Sequence, residues 1–294
     1  MYGMGVHDHL YDLNQMVDKG GPDIFDYSKL RKIANGLNNI SLEDEGKLYE
    51  IFKPVLQEKS IIGHTFLKPR GYAGDYRLID KIYTKEVSQD PEIKKWDIYF
   101  HEADSSTAVR NRKTYFINIM DKLTTLLVRP KVLNLGSGPC RDVLEYFQSS
   151  FDNKAYFSCI DMDKDALEYA SGLCDNYYEN INYINKNVFR FTATEKYNLI
   201  WSSGLFDYFS DKLFIRLTNK MYQLLEKDGE LVIGNFSIGN PGRVEMEVYG
   251  KWFLNHRSEE QLVNLALKAG IPGDCICVQK EQTGVNLFLH LSKP

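Results

Sequence analysis

Apolar positions recur at helical spacing through the first third of the chain. Within residues 27–57, Leu30, Ile33 and Leu37 fall on one stripe, and after a capped restart at Ser41 the pattern resumes at Leu48, Ile51 and Phe52. A 3.6-residue period of this kind predicts helices with one face turned to a core. The stretch over 61–83 differs, because HTFLKPRGYAGDYRLIDKIY sets Pro69, Gly71 and Gly74 among aromatic and charged residues. It predicts a structured loop entering a short helix. Ser105 or Ser106 then caps a long helix carrying Phe116, Ile119, Met120, Leu123 and Leu127, which Pro130 ends. That proline sets the expected boundary between an N-terminal helical cap over the acceptor site, 1–128, and a cofactor-binding domain, 129–294.

Past Pro130 the rhythm changes to short apolar runs alternating with helical segments, the form of an α/β fold with a mainly parallel sheet. Strands are expected at 131–135, 155–160, 182–185, 197–202 and 230–235. One helix runs from Ser210 through Leu213, Leu217, Met221 and Leu224. Ser258 with Gln261 forms a capping box that opens another, ending at Gly270. Runs at 275–280 and 285–291 are separated by a few residues that include Gly284, too few for the crossover between parallel strands. They predict an antiparallel hairpin. A parallel βα sheet closed by such a hairpin resembles the class I methyltransferase form of the Rossmann-like fold, whereas the dinucleotide-binding form ends on a parallel strand.

The segment VLNLGSGPCRDVL, 132–144, reads as a buried strand, then Gly136, Ser137 and Gly138, then a helix. Gly136 allows a tight turn, and Gly138 lets a ligand approach the main chain. Arg141 stands where the dinucleotide fingerprint has its third glycine, and Pro139 removes an N–H donor that a pyrophosphate would use. The expected cofactor is therefore S-adenosyl-L-methionine, which carries no phosphate. Asp161 ends the next strand 23 residues after Gly138, the offset at which an acid reaches ribose hydroxyls. Met162 is then placed to lie against adenine, while Asp163 caps the following helix. Asn187 and Val188 end the third strand, where they read the adenine edge, and Ser202 and Ser203 reach the carboxyl edge of the sheet at the fourth.

Composition narrows the partners. The 294 residues are 43% hydrophobic and 26% charged, which permits one large domain or two smaller ones. A net charge of -4, with no cluster of Lys and Arg, argues against a nucleic-acid surface. No apolar run approaches the roughly 20 residues of a membrane span, so a cytoplasmic protein, monomer or homodimer, is expected. Cys140, Cys159, Cys174, Cys275 and Cys277 match no zinc or disulfide spacing and read as reduced, buried thiols. His7 and His9, in a polar terminus expected to fray, read as solvated rather than metal-binding.

The fourth strand is followed by Ser202, Ser203, Gly204 and Leu205, not by the Asn/Asp-Pro-Pro-aromatic motif of nucleic-acid amino-methyltransferases. Pro139-Cys140 lies at the first strand and cannot serve as a cytosine C5 nucleophile, and no Asp/Asn cluster for Mg²⁺ is evident. A small-molecule acceptor remains. KPRGYAGDY at 68–76, AVRNR at 108–112, the cofactor motif and GNPGRVEMEVYGKWFLNHR at 239–257 resemble the bacterial 3-hydroxypalmitic acid methyl ester biosynthesis methyltransferases. The resemblance runs from about His64 to the end of the sequence. Its specific elements are N-P-x-R-x-x-M-E and W-x-L/F-x-x-R. The resemblance implies methyl transfer to a fatty-acid carboxylate, such as that of a 3-hydroxy fatty acid, giving a methyl ester.

Methyl transfer is an in-line displacement in which the enzyme aligns and desolvates the nucleophile. A carboxylate is already ionised at neutral pH and needs no base. Arg70, Arg110, Arg112, Arg243 and Arg257 are candidates for gripping carboxylates with the guanidinium fork. Arg112 is assigned to the cofactor, Arg70 and Arg243 to the acceptor, with Glu247 ordering an arginine. Tyr72, Asp75 and Tyr76 are expected to fold over the site as a lid, Tyr72 and Asp75 against the cofactor and Tyr76 against the acceptor, and Trp252 to line the acceptor pocket. Tyr208, His256 and Arg257 are the catalytic candidates, His256 as a general base. Two other readings stay open: N- or O-methylation of another small metabolite, which would need such a base, and a non-catalytic regulatory protein that binds the cofactor.

Overall fold

The helical spacing of the first third is realised as α1 (Val6–Asp18), α2 (Tyr27–Gly36), α3 (Leu42–Phe52), α4 (Ile61–Leu67), α5 (Tyr76–Thr84), α6 (Pro91–Glu102) and α7 (Asp104–Leu126) in a computed structural model that describes residues 5–149 and 155–294. Then come β1 (Lys131–Leu135), α8 (Arg141–Ser149), β2 (Tyr156–Asp161), α9 (Lys164–Leu173), β3 (Ile181–Asn185), β4 (Tyr197–Ser202), α10 (Asp211–Tyr222) and β5 (Leu225–Phe236). The chain closes with α11 (Arg243–Gly250), α12 (Glu259–Lys268), β6 (Ile276–Lys280) and β7 (Asn286–Ser292).

One unit runs up to Thr107 and takes back Pro241–Phe253; the other comprises Ala108–Asn240 and Leu254–Pro294. The division therefore falls inside α7 rather than at Pro130. Phe116 and Met120 of α7 pack with Val132, Trp201 and Phe288 of the sheet, which commits the body of that helix to the second unit. In the helical unit the stripe of Leu30, Ile33 and Leu37 packs with Leu48 and Phe52, with Leu13 of α1, Trp96 of α6 and Tyr249 of α11. Phe52 meets Trp96 edge to face at 4.9 Å between ring centres, a favourable aromatic geometry.

Several local expectations are corrected. His7 and His9 lie within α1, whose Leu10, Leu13 and Met16 are buried, so this end is anchored rather than frayed. The stretch 61–83 opens with α4, capped by the Ser60 hydroxyl on the N–H of Gly63, before the glycine-rich turn leads to α5. Asp104 begins α7, which places Ser105 and Ser106 inside its first turn instead of at its cap. Asp90 caps α6 with Pro91 next to it, a start signal that the sequence reading left unused. Ser41 and the Ser258–Gln261 box cap α3 and α12 as expected.

The second unit is a seven-stranded sheet in the order β3-β2-β1-β4-β5-β7-β6. Pairs from β3 to β5 are parallel, while β5–β7 and β7–β6 are antiparallel. This is the mostly parallel sheet with a C-terminal hairpin that the strand spacing predicts. From β1 the chain winds outward to β2 and β3, and from β4 outward the other way to β5. The carboxyl ends of β1 and β4 therefore flank the switch point where ligands bind in open α/β sheets. Cys140, Cys159 and Cys174 are buried free thiols, Cys275 is half-buried and Cys277 exposed. No helix among the described residues is long and apolar enough to cross a membrane.

Candidate functional site

The turn after β1 is built as its glycines require. Gly136 (φ 62) and Gly138 (φ 51) both adopt the left-handed region that favours glycine. The N–H groups of this turn are consumed internally. Ser137 donates to Ile160 O at 3.0 Å, Gly138 to Asp161 Oδ2 at 2.9 Å and Cys140 to Ser137 O at 3.1 Å. Pro139 has no N–H to give. A pyrophosphate needs such donors at a helix N-terminus, and they are committed elsewhere. S-adenosylmethionine lacks phosphate, so the donor set fits it.

Asp161 closes β2 beside this turn. Its Oδ1 accepts the N–H of Asp163 at 3.0 Å and its Oδ2 that of Gly138, leaving each oxygen a second lone pair for a ribose hydroxyl. Burial raises the Asp161 carboxyl above its ordinary pKa, against the pull of those N–H groups. Met162 follows with 73% of its surface exposed, an apolar side chain at the edge of the sheet. Asp163 caps α9 through the N–H groups of Asp165 and Ala166, the role its position suggested. Asn185, which sequence reasoning passed over, holds this corner by donating Nδ2 to the carbonyls of Asp161 and Met162. Only its place at a strand end could have signalled that.

After β3, Asn187 accepts the N–H of Phe189 on its own Oδ1, forming a turn, and Val188 is buried. At the end of β4 the Ser202 hydroxyl donates to Leu135 O at 3.1 Å. Ser202 thus ties two strand ends together and is not the ligand contact expected of it. Ser203 is half-buried next to it. Tyr208, 39% exposed, ends a short 3₁₀ turn at Phe206–Tyr208.

Arg257 is also corrected. Buried to 4% exposure, it donates from Nη1 to Asn235 Oδ1 and Phe206 O, from Nη2 to Phe209 O and Asp211 Oδ1, and from Nε to Asp211 Oδ1. Its guanidinium also lies over the Phe214 ring. Five donors are engaged, so the fork clasps the β4–α10 loop to β5 and has none left for an acceptor. His256 shares its Nδ1 with Leu254 O and its Nε2 with Asn240 Nδ2, both at 3.2 Å. With Nδ1–H on the carbonyl, Nε2 accepts from Asn240, and the ring has no lone pair poised as a base.

Asp207, one residue before Tyr208, is fully buried. Desolvation pushes its carboxyl up to about 6, moderated by the charge of Arg112, the N–H of Phe236 and the charge of Arg257. Arg112, on α7, is 4% exposed and sits over the Phe236 ring at 5.0 Å. Its Nε donates to Asn286 Oδ1 at 3.1 Å. Arg110, also on α7, is half-buried.

The remaining expected residues belong to the helical unit. Asp75 is fully buried and caps α5, its Oδ1 accepting the N–H groups of Arg77 and Leu78 and its Oδ2 facing His64 Nε2 at 2.8 Å. Its oxygens are thus structural, which corrects the expected cofactor contact. Arg70 lies over the ring of buried Tyr76 at 4.6 Å, and Tyr72 is 40% exposed. Arg243 pairs with Glu247 at 2.7 Å, one helical turn apart on α11. Trp252 is buried, its backbone N–H on Met246 O.

Residues 129–285 match the family described as methyltransferase domain. No curated protein matches the chain. Among solved structures, a possible exported protein from Bordetella parapertussis is similar with a TM-score of 0.63 at 16% identity, over 99% of this chain and 97% of that one. The S-adenosylmethionine-dependent methyltransferase SibL gives a TM-score of 0.54 at 12% identity, over 86% of this chain and 74% of that one. Magnesium protoporphyrin IX methyltransferase from Synechocystis, solved with bound SAH, gives 0.51 at 10% identity, over 65% and 87%. At these identities the likeness is one of fold.

Proposed function

Since the chain belongs to the methyltransferase-domain family, it is a methyltransferase with S-adenosylmethionine as its methyl donor, and we propose that the acceptor is the carboxylate of a small molecule such as a 3-hydroxy fatty acid. When bound, the cofactor supplies an electrophilic methyl carbon. The residues that would hold it are Gly136 and Gly138 at the turn, Asp161 for the ribose, and Met162, Asn187 and Val188 around the base. The chain's own task is to align the nucleophile and keep water away, and alignment of this kind can contribute roughly 7–11 kcal/mol to lowering a barrier.

The observation that carries the acceptor class is the state of the expected base. Both ring nitrogens of His256 are hydrogen-bonded, to Leu254 O and Asn240 Nδ2, so it is not poised to take a proton from an alcohol or amine. A carboxylate needs no such help, being ionised far below neutrality. The resemblance of the 239–257 segment to fatty-acid carboxyl methyltransferases points to the same class. The three buried thiols agree with a reducing, cytoplasmic setting. A rate flat between about pH 6 and 9 supports a carboxylate acceptor, and a rate rising through an acidic limb counts for a base-dependent one.

A further inference from the structure

The end of α7 leaves apolar side chains uncovered. Leu126 is 81% exposed and Val128 75%, and Leu127 between them is also exposed. Single exposed apolar residues are ordinary on a protein surface, but three in succession ordinarily have a use. The run is held rigidly. Leu127 N–H donates to Leu123 O at 2.9 Å, continuing the helix, and Ile119 and Leu123 pack against the core that Phe116 and Met120 share with the sheet. On its other side Pro130 is buried, and the Pro130 carbonyl accepts the N–H of Tyr156 at 2.9 Å, which brings Tyr156, itself partly exposed, close to the run. Because β1 begins at Lys131, the run stands at the amino edge of the sheet, the length of β1 away from the Gly136 turn.

The chain carries a net charge of -4, yet cations from separate parts of the sequence gather at this edge. Lys122 lies one turn before Leu126 on the same face of α7, and Arg129 directly follows Val128. Both are exposed, and neither forms an ion pair among the described residues. Lys131 pairs with Glu195 at 2.7 Å, and exposed Lys196 follows that carboxylate in the chain. Farther along the edge, burial and then the charge of Lys196 lower the pKa of the Lys293 amine, with Glu226 acting the other way. Around the run the carboxylates are Asp121 and Glu195, the latter taken by Lys131, so positive charge is in surplus.

Phe25 shows that exposure alone does not make such a surface. It is 92% exposed in the helical unit, but Asp23 and Asp26 on either side of it are paired with Lys95 and Lys19, so no surplus charge accompanies it.

We propose that the end of α7 docks the protein on an anionic lipid surface, with Leu126 and Val128 entering among the lipid tails and Lys122, Arg129 and Lys196 meeting the phosphates. Apolar side chains within a collar of cations suit the boundary between acyl chains and anionic headgroups. A nucleic acid would match the cations and leave the apolar run in water. Attachment is peripheral, since no helix among the described residues is long and apolar enough to cross a membrane. The surface does not depend on the methyltransferase reading.

The test is sedimentation of the whole chain with vesicles of phosphatidylcholine, alone or mixed with phosphatidylglycerol, at low and high salt. Wild type is expected on the mixed vesicles, with an affinity that falls as salt screens the cations. Leu126→Ser combined with Val128→Ser lowers that affinity about tenfold or more, the effect of withholding two aliphatic side chains from the bilayer. Arg129→Glu lowers it by about tenfold or more as well, because a repelled charge replaces an attracted one. Phe25→Ser leaves it unchanged. Every substituted position is exposed, and melting curves verify that each variant folds. Sedimentation velocity without lipid reports self-association. A wild type that ignores mixed vesicles, that binds phosphatidylcholine alone equally well, or whose binding is unmoved by the substitutions on α7 and at Arg129 overturns the proposal, as does an equal loss in Phe25→Ser. A wild-type dimer that Leu126→Ser with Val128→Ser splits, in a protein that ignores vesicles, makes the run an interface between copies and overturns it too.

Discussion

The backbone N–H of Gly138 donates to Oδ2 of Asp161 at 2.9 Å, joining the turn after β1 to the end of β2. One carboxylate thereby shapes the turn and still presents lone pairs outward. Asp161→Ala is expected to weaken S-adenosylmethionine binding by about 1.5–3 kcal/mol, the worth of a hydrogen bond to a charged group. Calorimetric titration measures it, and an affinity equal to wild type contradicts the ribose assignment.

Arg257 and Asp211 define a different kind of residue, one whose loss is felt in stability. Arg257→Met leaves Asn235 Oδ1 and the carbonyls of Phe206 and Phe209 without their donor. A loss of about 2–4 kcal/mol in denaturant unfolding is expected, tempered by the exposure of Asp211. Cofactor affinity of the folded fraction stays near wild type. An intact melting temperature with a sharply raised acceptor KM would instead return Arg257 to substrate binding.

His256 should be dispensable for proton transfer. His256→Ala removes a bond to Asn240 and one to Leu254 O, both on the protein's own groups, so a fall in kcat of less than about tenfold is expected against the 10²–10⁴ typical of a lost general base. Steady-state kinetics across pH separates the two outcomes.

Stability has a pH dependence whose sign follows from burial. Desolvation pushes Glu245 up to about 7, with the Arg31 charge and its hydrogen bond acting the other way, and pushes Asp142 and Asp207 up to about 6. An acid raised in the folded state stabilises below its unfolded pKa, and that stability is lost as pH rises through the folded value. Asp75 runs opposite: burial raises its pKa, but the hydrogen bond from His64 and the cap N–H groups outweigh it, so its stabilisation is lost only as pH falls through the lowered value. Glu245→Gln should therefore gain stability relative to wild type between pH 5 and 8 in urea unfolding. A constant difference across that range contradicts the buried, raised carboxyl.

The sheet was legible because short apolar runs alternate with helical segments past Pro130 and its closing hairpin is too short for a crossover. Strand 197–202 coincides with the expected one, and β2 is displaced by one residue. The glycine turn, Asp161 and the cap at Asp163 could be placed from spacing, since each depends on local chemistry near a strand end. What escaped depends on distant partners. Nothing near Arg257 announces that Asn235, Phe206 and Phe209 surround it, and nothing near Arg112 announces Asn286 174 residues later. The sequence also treated Asp75 and Ser202 as ligand contacts because both types bind ligands and both cap or tie backbone equally well. The two units divide within α7 for a related reason: Pro130 ends a helical run, but Phe116 and Met120 pack that helix with the sheet.

The central claim, transfer of a methyl group from S-adenosylmethionine to a carboxylate, is tested most directly by the chemistry of its product. The protein is incubated with methyl-labelled S-adenosylmethionine and a small-metabolite extract, and the products are treated with mild alkali. A methyl ester releases its label as methanol, and mass analysis of the intact product should then show an esterified acid. Label that survives alkali on nitrogen or an ether oxygen, or that never leaves the cofactor, contradicts the account.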